Sequence, residues 1–190
     1  MLDLPDILSK MIKDITLTIP LVDQHRDVKD KKWKKKSCAI CSVKMMMGFS
    51  NRKHLDIDIG QLINEAIDLG GYLEGIGWKH KTISDLAKKY GLKTDFIKKF
   101  PKTLSEKTKW LKKLENSIVK GKPAMVSVYH KLDKKNGGHM VVVNGIRKNG
   151  KITLGYHIQD PDKSFMGNNY YVSKDKFKLG WRGGAVYFSK

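Results

Sequence analysis

Ala124-Met-Val-Ser-Val-Tyr-His130, His139-Met-Val-Val-Val-Asn144 and Lys151-Ile-Thr-Leu-Gly-Tyr-His-Ile158 follow one another in the second half of this 190-residue chain. All three are rich in β-branched and aromatic residues and are bounded by turn formers, so each reads as a strand. Asn149-Gly150 between the second and third is a two-residue hairpin signal, because both positions tolerate positive φ. Asn169-Tyr-Tyr-Val172 and Gly184-Ala-Val-Tyr-Phe188 extend the series.

Before Pro123 the apolar period changes from two residues to helical spacing. Ala39, Val43, Met46 and Met47 share a face that begins at Ser37 or Cys38, with Gly48 as the expected stop. Leu62, Ile63, Ala66 and Ile67 form a second helix closed by Gly70-Gly71. Leu86, Ala87 and Tyr90 form a third that ends at Gly91, and Trp110, Leu111, Leu114 and Ile118 a fourth, with Ser105 as candidate cap. The expectation is an α+β fold, with a helical first half and an antiparallel sheet from the second half on which the cysteine helix packs. Residues 1–190 are read as a single domain with residues 1–18 as an N-terminal extension.

Composition narrows the function. No apolar run reaches the ~18–20 residues that span a bilayer. The first residues place Asp3 and Asp6 ahead of the apolar positions and lack a basic segment, so no signal peptide is expected and the location is read as cytoplasmic. Two cysteines three positions apart rule out a disulfide-framework domain. The net charge of +19 is large for this length. Arg26, Arg52, Arg147 and Arg182 are the only arginines, so nearly all the basic residues are lysines. Lysine accumulates as solvated surface charge more readily than arginine, so weak nonspecific polyanion binding is expected rather than sequence-specific recognition.

Three positions can carry chemistry. Cys38 opens a helix, His139 opens a strand after Gly137-Gly138, and Asp160 ends the next strand before Pro161. A thiolate is the reactive form of cysteine, and a helix N-terminus with a neighbouring imidazolium lowers a thiol pKa from ~8.5 to ~3.5–7.5. The Asn149-Gly150 hairpin makes the strands bearing His139 and Asp160 neighbours, so a carboxylate can fix the tautomer of the imidazole. Taken singly, each residue has a plain structural reading: a core cysteine, a half-buried strand histidine, a turn aspartate.

Taken in order, they resemble a family. Trp33…Ser37-Cys-Ala-Ile-Cys-Ser-Val-Lys-Met45, Gly138-His-Met-Val-Val-Val-Asn-Gly-Ile146 and His157-Ile-Gln-Asp-Pro-Asp162 resemble the cysteine, histidine and aspartate segments of papain-like cysteine peptidases. The type is the bacteriocin-leader-processing, double-glycine peptidases and their stand-alone relatives. Gln24 looks like the glutamine that precedes the cysteine in that family, although Ala39-Ile40 stands where the family has Gly-Pro. The resemblance implies a papain-like fold and a peptide or protein substrate. It also implies a cysteine peptidase, or amide or isopeptide hydrolase, acting through a thioester acyl-enzyme. Cys38 would be the nucleophile, His139 the general base and acid, Asp160 its orienting carboxylate and Gln24 an oxyanion donor. No cofactor or metal is implied.

Two rival functions stay open on sequence. Cys38-Ala-Ile-Cys41 is formally a Cys-x-x-Cys redox pair, but a lysine run precedes it where a thioredoxin has a buried strand. An inactive relative could instead bind polyanions through its lysines, steeply dependent on salt.

Overall fold

The computed structural model describes residues 12–97 and 100–189, so residues 1–11 of the expected N-terminal extension lie outside the described residues. The chain runs as β1 (Ile12–Thr16), α1 (Lys31–Lys34), α2 (Cys38–Ser50), a 3-10 turn (Arg52–Asp56) and α3 (Ile59–Asp68). A small hairpin follows, β2 (Tyr72–Leu73) with β3 (Gly77–Trp78), then α4 (His80–Lys89), β4 (Lys93–Phe96) and α5 (Leu104–Val119). The last third is β5 (Ala124–Tyr129), β6 (Gly138–Asn149), β7 (Ile152–Gln159), β8 (Asn169–Ser173), α6 (Lys174–Gly180) and β9 (Trp181–Ser189).

The main sheet is antiparallel, in the order β4-β9-β5-β6-β7-β8. Twelve-residue β6 is its spine. Its first half pairs with β5, from Gly138↔Tyr129 to Val143↔Ala124, and the same edge then receives β1, from Gly145↔Thr16 to Asn149↔Ile12. The Asn149-Gly150 turn forms as expected, with Gly150 at φ +55° and Asn149 opposite Ile152.

The central strands bury both faces, which explains their nearly continuous apolar runs. Met125, Met140, Val142, Val186 and Phe188 face a core shared with α2, α3 and α4. The alternate residues Val126, Val128, Val141, Val143 and Tyr187 face a second core with Leu111, Leu114 and Ile118 of α5 and Phe177 of α6. The cysteine helix packs on the sheet as expected. The helical half, however, does not stay on one side: α5 covers the opposite face, giving three layers.

Other local expectations shift for physical reasons. Helix α2 passes Gly48 and ends at Ser50. Gly48 is there for close approach, since a Cβ would press into Leu55 and Pro20. Helix α5 is capped by Thr103 rather than Ser105: the Thr103 hydroxyl accepts from Glu106 N, and the Glu106 carboxylate accepts from Thr103 N, a capping box. The first half also supplies two strands to the sheet. Of these, β1 is anchored by Asp14, which takes both arms of Arg147 at 2.9 and 2.8 Å and His157 Nε2 at 3.0 Å.

Two substitutions test this packing. Thr103→Ala should cost about 1 kcal/mol, the usual worth of an N-cap. Gly155→Ala should cost more, because its Cβ would overlap the Val172 carbonyl oxygen, which β7–β8 pairing holds in place. Urea denaturation of both variants checks the order, and a Gly155→Ala protein as stable as wild type would contradict it.

Candidate active site

Cys38 is the first residue of α2, half-buried, with Ser37 as the N-cap residue. In the first turn the N–H of Cys38 has no carbonyl four residues back within the helix, so it is free to donate elsewhere. The approach to this turn is built by aromatic packing. Trp33, buried within α1, meets Tyr72 at 5.0 Å and Trp78 at 5.7 Å between ring centroids, and Trp78 Nε1 donates to the Lys36 carbonyl at 2.6 Å. Asp30 caps α1 by accepting from Lys32 N. The lysine run, which the sequence suggests is a polar loop, is therefore a short helix clamped against the β2–β3 hairpin.

Histidine 139 is the second residue of β6 and is 6% exposed. Helix α2 is pinned to this strand one residue beyond it, where the buried Ser42 hydroxyl donates to the Met140 carbonyl at 3.1 Å. That bond fixes the height of Cys38, one helical turn earlier, against His139. His139 Nε2 lies 2.7 Å from Asp160 Oδ1, and Cys38 is close enough to the same ring to favour its charged form. With Nε2 committed to Asp160, Nδ1 is the ring atom left for the sulfur.

Asp160, 3% exposed, lies just past the end of β7 and is held from several sides. Its Oδ1 also accepts from Asp162 N at 2.8 Å, and its Oδ2 accepts from the Tyr170 hydroxyl at 3.1 Å. Its backbone N–H donates to the Asn168 carbonyl at 2.7 Å. Burial would lower the pKa of His139, but the Asp160 bond, the Cys38 contact and the charges of both partners outweigh it. The net result is a rise from 6.5 to about 10, so the ring is held as imidazolium at neutral pH.

Gln24 is brought against the Pro161–Asp162 turn that follows Asp160. Its N–H donates to the Pro161 carbonyl at 2.9 Å, and its Nε2 lies 3.4 Å from Asp162 Oδ2 and 3.3 Å from His25 Nε2. Its Oε1 is buried with no hydrogen-bond partner among the described residues.

Sequence reasoning missed the group around Asp162. This carboxylate lies 3.3 Å from His25 Nε2 and 3.2 Å from His130 Nε2, and His130 Nε2 makes no hydrogen bond among the described residues. Burial would raise its pKa, but the Ser164 N–H and the His25 ring more than offset this and bring it down to about 2. The His130 ring also packs edge-on against His139, 5.1 Å between centroids. The Asp-Pro-Asp spacing was the available signal, because only a turn at Pro161 brings the second aspartate back under the first.

The other cysteine does not share this environment. Cys41 is fully buried, burial pushes its thiol well above the usual range, and its Sγ donates to the Ser37 hydroxyl at 3.7 Å. It serves packing, and burial keeps it protonated. Among the described residues, no cluster of His, Cys, Asp and Glu could hold a metal ion.

Cys38 and His139 open into a cleft of about 330 Å³, walled by Lys35, Lys36, Trp78, Gly137, Gly138 and Arg182 among others. A larger hollow lies elsewhere, but among the described residues only this cleft holds a half-buried thiol beside a paired imidazole. Asp160→Asn should drop the His139 pKa from about 10 back toward 6.5, as read by NMR titration of the ring. Because the folded value is raised, the stabilisation from the charged pair is fully present below pH ~6.5 and is lost as pH climbs through about 10. The stability gap between wild type and Asp160→Asn should therefore narrow over that window. A gap that does not vary with pH would contradict the assignment.

Known proteins share this fold. Residues 16–184 match the model of the family described as Peptidase_C39 like. Among solved structures, a C39-like protein from Bacillus anthracis is 17% identical, with 94% of this chain and 98% of that chain covered and a TM-score of 0.64. The peptidase domain of Streptococcus ComA, a bifunctional ABC transporter of a quorum-sensing pathway, is 21% identical, with 90% and 98% covered and a TM-score of 0.57. A double glycine motif protease from an AMS/PCAT transporter, solved with its leader peptide, is 15% identical, with 91% and 92% covered and a TM-score of 0.55. At these identities the likeness is one of fold. No protein of curated function matches the chain in sequence. The family match spans most of the chain, and the structures share its helix-on-antiparallel-sheet plan: this chain belongs to the Peptidase_C39-like family.

Proposed function

We propose that this protein hydrolyses peptide bonds through a covalent thioester, with Cys38 as nucleophile, His139 as general base and then acid, and Asp160 as the carboxylate that orients it. The observation that carries the reading is the 2.7 Å bond from His139 to the buried Asp160, with Cys38 and His139 lining one open cleft. Family membership and a neighbour of the same fold solved with a leader peptide support a peptide as substrate.

The steps follow from the geometry. In the reactive state the proton shared by Cys38 and His139 already sits on the ring, and Sγ attacks the substrate carbonyl carbon as the thiolate. The Cys38 N–H, unpaired at the helix start, stabilises the oxyanion. Gln24 is the second donor in this reading, and it must release its 3.4 Å contact with Asp162 to serve. His139 then gives its proton to the departing amine as the C–N bond breaks, leaving a thioester. Water attacks next, with His139 taking its proton, and the C–S bond breaks to restore the cysteine. Asp160 keeps Nε2 occupied throughout, so the ring cannot turn away from the sulfur.

Substitutions separate these roles. Cys38→Ala should abolish peptide cleavage. His139→Gln should lower kcat by about 10²–10⁴-fold, the usual worth of general acid–base catalysis. Gln24→Ala should lower kcat by about 10²-fold with KM little changed, as for the loss of one oxyanion donor. Iodoacetamide at mildly acidic pH should modify Cys38 well before the buried Cys41. Equal, slow modification of both would remove the case for an activated nucleophile.

A separate groove favours a second, weaker activity. A hollow of about 1120 Å³ between α5 and strands β4 and β9 is lined by Lys93, Lys109, Lys112, Lys113, Lys120 and Lys122, with Asp95 as its carboxylate. It shares no lining residue with the Cys38 cleft. Polyanions should bind there weakly, without sequence preference, and be released by moderate salt as the advantage of counterion release fades. Cys38→Ala should leave that binding unchanged in a salt titration with single-stranded DNA. Tight, salt-resistant binding would contradict this account of the lysine surface.

A further inference from the structure

The four arginines are placed very differently. Arg147 grips Asp14 with both arms, Arg26 does the same to Asp27, and Arg52 is exposed. Arg182, second residue of β9, is half-buried, yet no carboxylate lies within ion-pair distance of it among the described residues. Its guanidinium rests over the Tyr129 ring, 5.6 Å from the centroid. Its Nη1 also reaches Gly138, where any Cβ would overlap it. Withdrawing a guanidinium from water without a counter-charge is costly, and one ring contact offsets only part of that.

The surroundings deepen the imbalance. Among the described residues, the charges around the Cys38 cleft are Lys35, Lys36, Arg182, the His139 ring already paired with Asp160, and one carboxylate, Glu74, which sits 2.9 Å from Lys36 Nζ. Beyond Arg182 the cleft continues into a second hollow of about 300 Å³ with Phe96, Ile97 and Phe100 in its walls. Trp78, His80, Ser127 and Arg182 line both. Burial first, and then the charge of Arg182, hold His80 down at about 4, so it brings no charge of its own at neutral pH. A chain lying across Cys38 and Gly138 into this second hollow passes directly under an unpaired fork of N–H donors.

We propose that Arg182 determines substrate specificity by receiving a carboxylate of the peptide, the side chain of a Glu or Asp near the scissile bond. The assignment rests on the peptidase reading above. A planar guanidinium matches a carboxylate in two parallel hydrogen bonds, which ammonium groups such as Lys35 cannot reproduce. Gly138 contributes by having no side chain, which leaves the guanidinium room beside the histidine strand. Lys79 and Lys81 also line the second hollow, but Lys79 Nζ donates to the Gly70 carbonyl and Lys81 pairs with Asp85. The Phe96, Ile97 and Phe100 walls lower the local dielectric, so the Arg182 pair is worth more there than in open solvent.

The test uses internally quenched peptides in which one Glu is moved through each position on both sides of the cleaved bond, with Gln and Lys versions as controls. Iodoacetamide modification of Cys38 is run beside it as a measure of the catalytic site. One position should favour Glu over Gln by about tenfold in kcat/KM, the scale of one charge-assisted contact. Arg182→Gln should erase that preference while Cys38 is modified as in wild type. Arg182→Lys should keep part of it, and Arg182→Glu should turn it toward the Lys peptide. If wild type cleaves the peptides with no preference for Glu at any position, or if the preference survives Arg182→Gln, the assignment is wrong and the peptidase reading stands. If wild type cleaves none of the peptides and Cys38 is not selectively modified, the peptidase reading fails and takes this one with it.

Discussion

The buried bond between His139 Nε2 and Asp160 Oδ1 is the constraint around which the rest of the molecule is arranged. Each partner is less than a tenth exposed, and a charged pair removed from water is stable only when its remaining hydrogen-bonding capacity is met. The chain meets it from three strands. β6 carries the histidine, the end of β7 leads to the aspartate, and β8 reaches across with the Tyr170 hydroxyl to the second carboxylate oxygen. The turn at Pro161 adds the Asp162 N–H. Such a pair contributes little net stability compared with apolar residues of the same volume, so its value here is positional: it holds one imidazole edge toward Cys38.

The sheet is built for that purpose. The β6–β7 hairpin brings two residues that are 21 positions apart to 2.7 Å, and the helix bearing the cysteine is tied to the same strand by Ser42 and Met140. Cores on both faces of β5, β6 and β9 leave these strands little freedom to slide, since a one-residue slip would exchange the two apolar faces. The spacing of Cys38, His139 and Asp160 therefore inherits the rigidity of a doubly covered sheet, while the cleft itself is bordered by small loops and the short β2–β3 hairpin.

Much of this was legible in the sequence because it depends on local signals. The apolar period around Val43 and Met46, the β-branched runs of β5 and β6, and Asn149-Gly150 each specify their element with little help. The order of Cys38, His139 and Asp160 then follows from which elements are neighbours. What was not legible depends on distant partners. Lys93-Thr-Asp-Phe96 has no strong strand pattern, and it is extended because β9 pairs with it. Strand β1 is mostly exposed, and it holds its place through Asp14 on Arg147 and His157. The lysines of α1 would not form a helix alone, and Trp33 sets them by packing on Tyr72 and Trp78. His25 and His130 carry no motif, because their meeting at Asp162 exists only once the Pro161 turn has folded.

The large positive charge and the chemistry are separable. Exposed lysines act on the site through a field that 0.15 M salt screens over about 8 Å, whereas Asp160 acts on His139 at bonding distance. The account therefore stands on one covalent event at one sulfur. The most direct measurement is rapid-quench intact-mass spectrometry of the protein mixed with an activated peptide ester, followed by peptide mapping. The account predicts a transient mass increase equal to the acyl group, labile to hydroxylamine, located on Cys38 and absent from Cys38→Ala. No adduct in the wild-type protein, or an adduct that persists in Cys38→Ala, would contradict it.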